Sequence, residues 1–267
     1  MASGYSRLKA LIIKFLTVLA DTAFRVSIQH APYTRWGDRY FSYGQFFRSH
    51  KRFPTDRMLL NDYTFRFKLS DAIRPPLVGY TSDKEFTKDY IRAKVGQEYN
   101  VPTLAILRSK QEIQNFEFPM DCVIKPTHGS GKVIFRRNGD LVDRKEIQSW
   151  MDMNYYKKGR EANYKYLQPK IIVEPYVFEL KHQEDIKIFC YNGEPKVIRC
   201  SFDKTGENTR RFYTADWYDL DISLGQPLSS ETMGKPEKLE NMLEIARKLS
   251  ADFKLDTRIN LADFRQM

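Results

Sequence analysis

Hydrophobic and polar positions alternate irregularly over residues 21–60 and fall into readable periods from Ser82 onward. Ser82 with Glu85 forms a capping box opening a helix, with Phe86, Tyr90 and Ala93 on one face and Gly96 past its end. Apolar runs predict strands at 101–107 and 121–125, with a short helix near Ser109 to Asn115 between them. Arg137-Asn138-Gly139-Asp140 predicts a hairpin turn, and Asp143 with Glu146 caps a helix carrying Ile147, Trp150 and Met151. Further strands are expected at 171–178, 185–191 and 195–202, the last two joined by Asn192-Gly193. A loop is expected from Asp203 to Ser230. Pro236 then starts a helix in which Leu239, Met242, Leu243, Ala246 and Leu249 recur at helical spacing. A short strand closes the chain in L-D-T-R-I-N-L. Mixed helices and antiparallel hairpins imply an α+β fold, not a doubly wound sheet.

At 267 residues the chain can build two lobes without disulfides or a structural metal. Its net charge of +10 favours an anionic partner: a nucleotide, an acidic glycan, an anionic membrane surface or nucleic acid. Cys122, Cys190 and Cys200 lie inside expected strands without metal-like spacing and read as buried apolar residues in a reducing compartment. No stretch reaches the ~20 apolar residues of a membrane span. The nearest candidate, Leu8 to Ala20, is interrupted by Lys9 and Lys14 and reads as an amphipathic helix, packed on the protein body or lying on the inner membrane surface. Residues 21–60 read as an irregular stretch in which Arg25, Arg35, Arg39, Arg48, Lys51, Arg52 and Arg57 alternate with Tyr33, Trp36, Tyr40, Phe41, Phe46 and Phe47. Cations between aromatics can hold nucleic acid, but no recognition motif accompanies them. Ordinary packing, or a surface for an acidic glycan or its lipid-phosphate carrier, accounts for them better.

The segment V-I-K-P-T-H-G-S-G-K-V-I, from Val123 to Ile134, is laid out to hold a polyphosphate. Glycines let backbone N–H groups approach anionic oxygens, and Lys125 and Lys132 add positive charge on either side. It is not a Walker A loop, because Val133 follows Lys132 and Pro126 stands where the first glycine belongs. It reads as a strand-loop-strand phosphate lid, with a plain glycine hairpin as the simpler alternative. The run I-I-V-E-P-Y-V at 171–177 breaks at Glu174-Pro175 into an extended hinge whose backbone can pair with an adenine edge. Asp185 and Lys187, two residues apart, share a strand face.

Taken in order, S-D-K-E-F-T-K-D-Y-I from Ser82, V-I-K-P-T-H-G-S-G from Val123, I-V-E-P-Y from Ile172, D-I-K-I-F-C-Y-N-G from Asp185, F-Y-T-A-D-W from Phe212 and T-R-I-N-L from Thr257 resemble the ATP-grasp ligases of the TupA-like, teichuronopeptide-biosynthesis type found in bacterial surface-polysaccharide clusters. The resemblance covers about 60 to 262. It implies two α+β lobes with antiparallel sheets clamping a nucleotide, and a division into 1–60 (basic, aromatic extension), 61–120 (N-terminal lobe), 121–178 (phosphate-loop lobe and hinge) and 179–267 (C-terminal lobe). It further implies ATP with Mg2+ as cofactors and a cytoplasmic carboxylate–amine ligase acting through an acyl phosphate. The expected partners are an acidic polysaccharide or its precursor and an amino acid or other amine.

The same resemblance implies roles. Lys125 would meet the α and β phosphates, and Lys84, in the family's D-K motif, would reach the nucleotide. His128, Gly129, Ser130 and Gly131 would cover the phosphates with backbone N–H groups, Ser130 adding its hydroxyl. Glu174, Pro175, Tyr176 and Val177 would hold adenine. Asp185 and Lys187 would line the floor, Lys187 contacting phosphate or acceptor carboxylate, and Arg258 would stabilise the transferring phosphoryl group. Asn260 stands where the family usually carries Asp, and the family continues to a strand with a magnesium-bridging Glu, whereas this sequence stops at Met267. Asp263 is the nearest carboxylate to compensate. A metal site of Asn260 and Asp263, apparently truncated, predicts weak turnover with nucleotide binding retained. Two other readings stay open: a glycosyltransferase using Asp219-Leu220-Asp221, and a non-catalytic nucleotide-binding scaffold.

Overall fold

A computed structural model describes residues 22–56, 59–177, 185–202, 209–223, 227–253 and 257–262. The expected helix at Leu8 to Ala20 lies outside the described residues. The chain divides into two compact units, 1–75 with 154–166, and 76–153 with 167–267.

In the first unit the stretch expected to be irregular contains a helix, Arg35–His50. Thr34 caps it by accepting from the Gly37 N–H at 3.2 Å, and Lys51 ends it at φ 53°. The inner face consists of Gly37, Asp38, Phe41, Ser42, Gly44 and Phe46, so two glycines and a buried acid interrupt the apolar stripe that would have marked the helix. Gly37 is required by close packing: a Cβ there would lie 1.9 Å from the Pro32 carbonyl oxygen. Asp38 anchors a buried polar cluster. It accepts from the Tyr156 hydroxyl at 2.8 and 2.9 Å and pairs at 3.2 Å with Arg160, whose side chain is 1% exposed. Arg160 also donates to the carbonyls of Ala31 (2.6 Å) and Pro32 (2.9 Å). Burial, reinforced by Asp38, pushes the Tyr156 phenol up to about 12. A second helix, Leu60–Leu69, is held by a fork from Arg52 to Asp62 at 2.7 and 2.9 Å.

The second unit contains two four-stranded antiparallel sheets. The first is built from β1 (Ala105–Leu107), β2 (Cys122–Pro126), β3 (Ile134–Arg136) and β4 (Ile171–Pro175), in the order β1-β4-β2-β3. Leu107, Ile124 and Val173 pack there against Ile113 and against Ile147 and Trp150, from the helices Lys110–Asn115 and Arg144–Trp150. Asn138 (φ 49°) and Gly139 (φ 78°) make the expected turn, but the chain runs from it into the helix capped by Asp143 and adds no strand. The other sheet takes β5 (Asp185–Tyr191), β6 (Glu194–Phe202), β7 (Thr209–Thr214) and β8 (Thr257–Ala262), in the order β7-β6-β5-β8. Its core joins Ile188, Cys190, Ile198 and Cys200 to Leu239, Met242, Leu243, Ala246 and Leu249 of the helix Leu239–Ser250. β7 lies where a loop was expected; its R-R-F-Y-T pairs along β6 with Phe212 and Tyr213 buried. All three cysteines are buried and free.

One helix, Lys84–Val95, packs on the core of the second sheet and reaches the first sheet through the Lys88–Glu174 ion pair. Its cap is Asp83, whose carboxylate accepts from the Glu85 N–H at 2.9 Å, while Ser82, the expected cap, turns its hydroxyl to the Val78 carbonyl at 2.7 Å. Tyr90 enters the second sheet's core and donates to the Leu249 carbonyl at 2.9 Å. Phe86 and Ala93, expected beside it, are exposed or nearly so. Gly96 ends the helix at φ 118°.

Candidate functional site

β2 delivers Lys125 to the mouth of the glycine loop, and Thr127 fastens that loop at three atoms. Its N–H donates to the Lys170 carbonyl (2.9 Å), its hydroxyl to Asp83 (3.1 Å), and its carbonyl accepts from the Lys84 N–H (3.2 Å). His128 is a buried strut. Nδ1 accepts from the Lys170 N–H at 3.3 Å, which leaves Nε2 to donate to the Trp150 carbonyl at 3.1 Å. Burial lowers its basicity, so at neutral pH the ring is uncharged and ties the loop to the Arg144–Trp150 helix. Ser130, Gly131 and Lys132 beyond it are exposed. Gly131 sits at φ 80°, and a Cβ there would meet nothing within 4 Å, so a ligand has room beside the backbone.

Lys84 and Lys125 stand at this loop, and Lys88 joins them through Glu174. Lys84 Nζ donates to the Pro126 carbonyl at 2.8 Å and to the Gly129 carbonyl. Burial, then the neighbouring Lys125 ammonium, lowers it to about 8. Lys125 pairs with one oxygen of Glu174, and Lys88 takes the other at 2.6 Å while donating to the Val101 carbonyl at 2.5 Å. Glu174 is 5% exposed, so its carboxylate is the counter-ion of two cations, a role its place in the hinge motif did not suggest. Lys88 was not among the expected residues either. Its position four after Lys84 on the same helix was the available signal. Below the loop, buried Lys170 pairs with Asp83 at 3.1 Å and with Glu85, its ammonium 4.0 Å from the centre of the Phe86 ring. Burial raises the Glu85 carboxyl, but Lys170 and Arg108 outweigh it and hold it below the usual range.

β4 ends at Pro175, short of the expected 178, and Glu174 and Pro175 are still paired with Val123 and Cys122, so the chain leaves the sheet after the Glu174-Pro175 step and not at it. Tyr176 follows under the Arg137 guanidinium, 4.8 Å from the ring centre, with Val177 next. On the other sheet, Lys187 stands opposite Arg199 on β6 and Asn260 on β8, and Arg258 stands opposite Phe189. Strand alternation places the register positions of Asp185, Lys187, Arg199, Arg258 and Asn260 on one face, opposite the core residues Ile188 and Ile198. Arg199 is the addition to that expected set. The side chains of Asp185, Arg258 and Asn260, and all of Asp263, lie outside the described residues. Among the described residues no group of three His, Cys, Asp or Glu is placed to hold a metal ion. No helix among them is long and apolar enough to cross a membrane.

Asp219-Leu220-Asp221 follows β7, Asp219 forming an isolated antiparallel bridge with Tyr213. Asp219 is ion-paired with Arg211 and accepts from the Asp221 N–H at 2.9 Å. The run of buried parallel strands that a sugar-nucleotide site would place before it is absent among the described residues, where both sheets are antiparallel.

Solved structures similar to this chain include D-alanine–D-alanine ligase from Bacillus anthracis complexed with ATP (14% identity, 71% of this chain and 53% of that one, TM-score 0.39). They also include ATP-grasp ligase PsnB complexed with minimal precursor (11%, 72% and 51%, 0.37) and D-cycloserine synthetase DcsG (15%, 76% and 66%, 0.39). The chain thus spans about half the length of the first two. No curated protein matches it. The family model for TupA-like ATPgrasp matches residues 66–262, which take in the glycine loop, the lysines around it, the hinge and both sheets. By that match the chain belongs to the TupA-like ATP-grasp family and has its α+β fold.

Proposed function

We propose that this protein is an ATP-dependent carboxylate–amine ligase. The observation that carries the reading is the convergence of Lys84 and Lys125 on the Thr127–Gly131 loop, with open space beside Gly131. Paired ammonium groups beside a left-handed glycine match the donor set a polyphosphate needs. In the resting protein Glu174 balances Lys125 and Lys88, and an incoming phosphate would take over Lys125 while Lys88 kept Glu174 neutralised. Gly129, Ser130 and Gly131 would offer N–H groups to the phosphates, and the backbone from Glu174 to Val177 would receive adenine.

A carboxylate and an amine do not condense in water, so the carboxylate must first be activated. A carboxylate oxygen attacks the γ-phosphorus, the bond to the bridging oxygen breaks, and ADP leaves. The amine nitrogen then attacks the acyl carbon, loses a proton and expels phosphate. Lys187 and Arg258 would hold the acceptor carboxylate and the transferring phosphoryl group. Asn260 and Asp263 would hold magnesium, which neutralises phosphate oxygens when bound. A uronic acid of a bacterial surface polysaccharide or its precursor would supply the carboxylate, and an amino acid or similar compound the amine. With ATP as cofactor, the reaction would belong to the cytoplasm.

Calorimetry with Mg-ATP, UDP-glucose and GDP-mannose tests the nucleotide, with ATP expected to bind and the sugar nucleotides not. UDP-sugar binding without ATP binding would overturn the reading in favour of a glycosyltransferase. ADP formation is then followed with glucuronate oligosaccharides and an amino acid, present together or singly. Dependence on both is the expected result, and ATP binding with no ADP formation under any combination would show a scaffold.

A further inference from the structure

The net positive charge of this chain is confined to one of its two units. The unit of 1–75 with 154–166 carries 17 Lys and Arg against 6 Asp and Glu, a net charge of +11, and the unit holding the glycine loop carries 27 against 28, a net charge of −1. The nucleotide site therefore does not account for the basic character of the protein.

The same basic unit displays an aromatic face. Trp36, Tyr40, Tyr43 and Phe47 follow one another at helical spacing along Arg35–His50, on the side opposite buried Asp38 and Ser42. Tyr40 is half-buried against Ile28 and Phe41, and Tyr43 meets Phe65 edge-on, which leaves Trp36, Phe47 and the outer edge of Tyr43 to solvent. Trp36 is 67% exposed, Tyr43 40% and Phe47 37%, where a solvated face would carry charged or amide side chains. The exposed rings are paired with neighbouring rings. Trp36 stacks on Tyr40 at 5.7 Å with 3° between planes, and Phe47 lies 5.1 Å from Phe53, itself 62% exposed. Arg39 and Lys51 flank them, exposed and without a carboxylate partner among the described residues.

Rings with polar tips along one face of a helix, flanked by cations, suit a bilayer interface. Tryptophan and tyrosine settle at headgroup level, while Arg and Lys reach lipid phosphates. A soluble glycan is usually gripped in a concave site with convergent polar groups, which a convex helix face does not offer. We propose that this face of the Arg35–His50 helix seats the protein on an anionic lipid surface. The proposal is independent of the ligase reading, since none of its residues belongs to the nucleotide site.

Co-sedimentation of the full chain with phosphatidylcholine vesicles, with and without phosphatidylglycerol, tests it. Binding is expected only when the anionic lipid is present and should weaken at high salt. Trp36→Ser with Phe47→Ser, and separately Arg39→Glu with Lys51→Glu, should each weaken it by roughly tenfold or more while circular dichroism stays unchanged. As a measurement on the parent surface, vesicles should blue-shift the parent's emission by more than that of Trp36→Phe. Absence of vesicle binding, or equal binding by parent and both paired variants, overturns the proposal. Binding to polyglucuronate or polyuridylate but not to vesicles overturns it too, and gives the face to a soluble polyanion.

Discussion

Lys84 is the residue whose chemistry can be read out most directly. Burial and Lys125 lower its pKa from 10.5 to about 8. Between those values the unfolded chain holds a proton that the folded one has lost, so this group's contribution to stability rises with pH across that window and is flat outside it. Phosphate binding runs the other way, because it needs the ammonium form. ATP affinity is expected to be level below pH 8 and to fall above it by up to about tenfold per pH unit. Lys84→Arg should flatten that decline; calorimetry from pH 7 to 9 checks it, and an unchanged slope would detach Lys84 from the nucleotide. Lys125→Ala should lower ATP affinity by about 2–3 kcal/mol, roughly 30- to 150-fold. It should cost less than about 1 kcal/mol of stability, since Glu174 keeps Lys88 and the lost ion pair is partly exposed. Parent-like ATP affinity in that variant would make Lys125 a plain strand-end lysine.

Elements were legible where one apolar face is continuous and a cap is explicit. Leu239–Ser250 shows this, since five apolar residues at helical spacing face the second sheet. Even there the helix begins three residues after Pro236, whose carbonyl instead accepts from the Leu239 N–H at 3.1 Å. Arg35–His50 was hidden because it packs glycine against backbone and buries Asp38, and neither registers as an apolar period. β7 was hidden because Arg210 and Arg211 precede its two buried aromatics, and its strand character comes from pairing with β6. The Lys84–Val95 helix shows a cap doing more than capping. Asp83 is 1% exposed and holds the Glu85 N–H, Thr127 and Lys170 together, so it fixes helix and loop at once. Asp83→Ala leaves Lys170 buried with Glu85 as its remaining carboxylate, and is expected to cost about 3–5 kcal/mol. Urea unfolding measures this, and Asp83→Asn, which keeps the cap, should fall between parent and alanine. A loss below about 1 kcal/mol for the alanine variant would show that the loop does not depend on this anchor.

On the scale of the whole molecule, the motifs of the nucleotide site are separated in sequence but carried on neighbouring strands and one helix, which is why Lys84, Lys125 and Glu174 could be singled out before their contacts were known. Lys170 could not, because its meaning depends on Asp83, 87 residues away, and for Lys88 the only signal was its place four residues after Lys84, its partner Glu174 lying 86 residues on. The first unit was less legible still, since Asn154–Tyr166 returns to it from the middle of the second and closes it with Arg160. Removing Asp38 tests that closure. Asp38→Ala leaves the Arg160 guanidinium buried without its carboxylate, a loss expected to cost about 3–5 kcal/mol. Hydrogen exchange should then show faster opening of amides in 35–50 and 155–160, with those of β2 and β4 as slow as in the parent. Asp38→Asn, which keeps an acceptor for Tyr156, should lie between. Equal acceleration in both units would mean that they open together, and unchanged exchange in 35–50 would mean that the Asp38 cluster is not what holds the first unit closed.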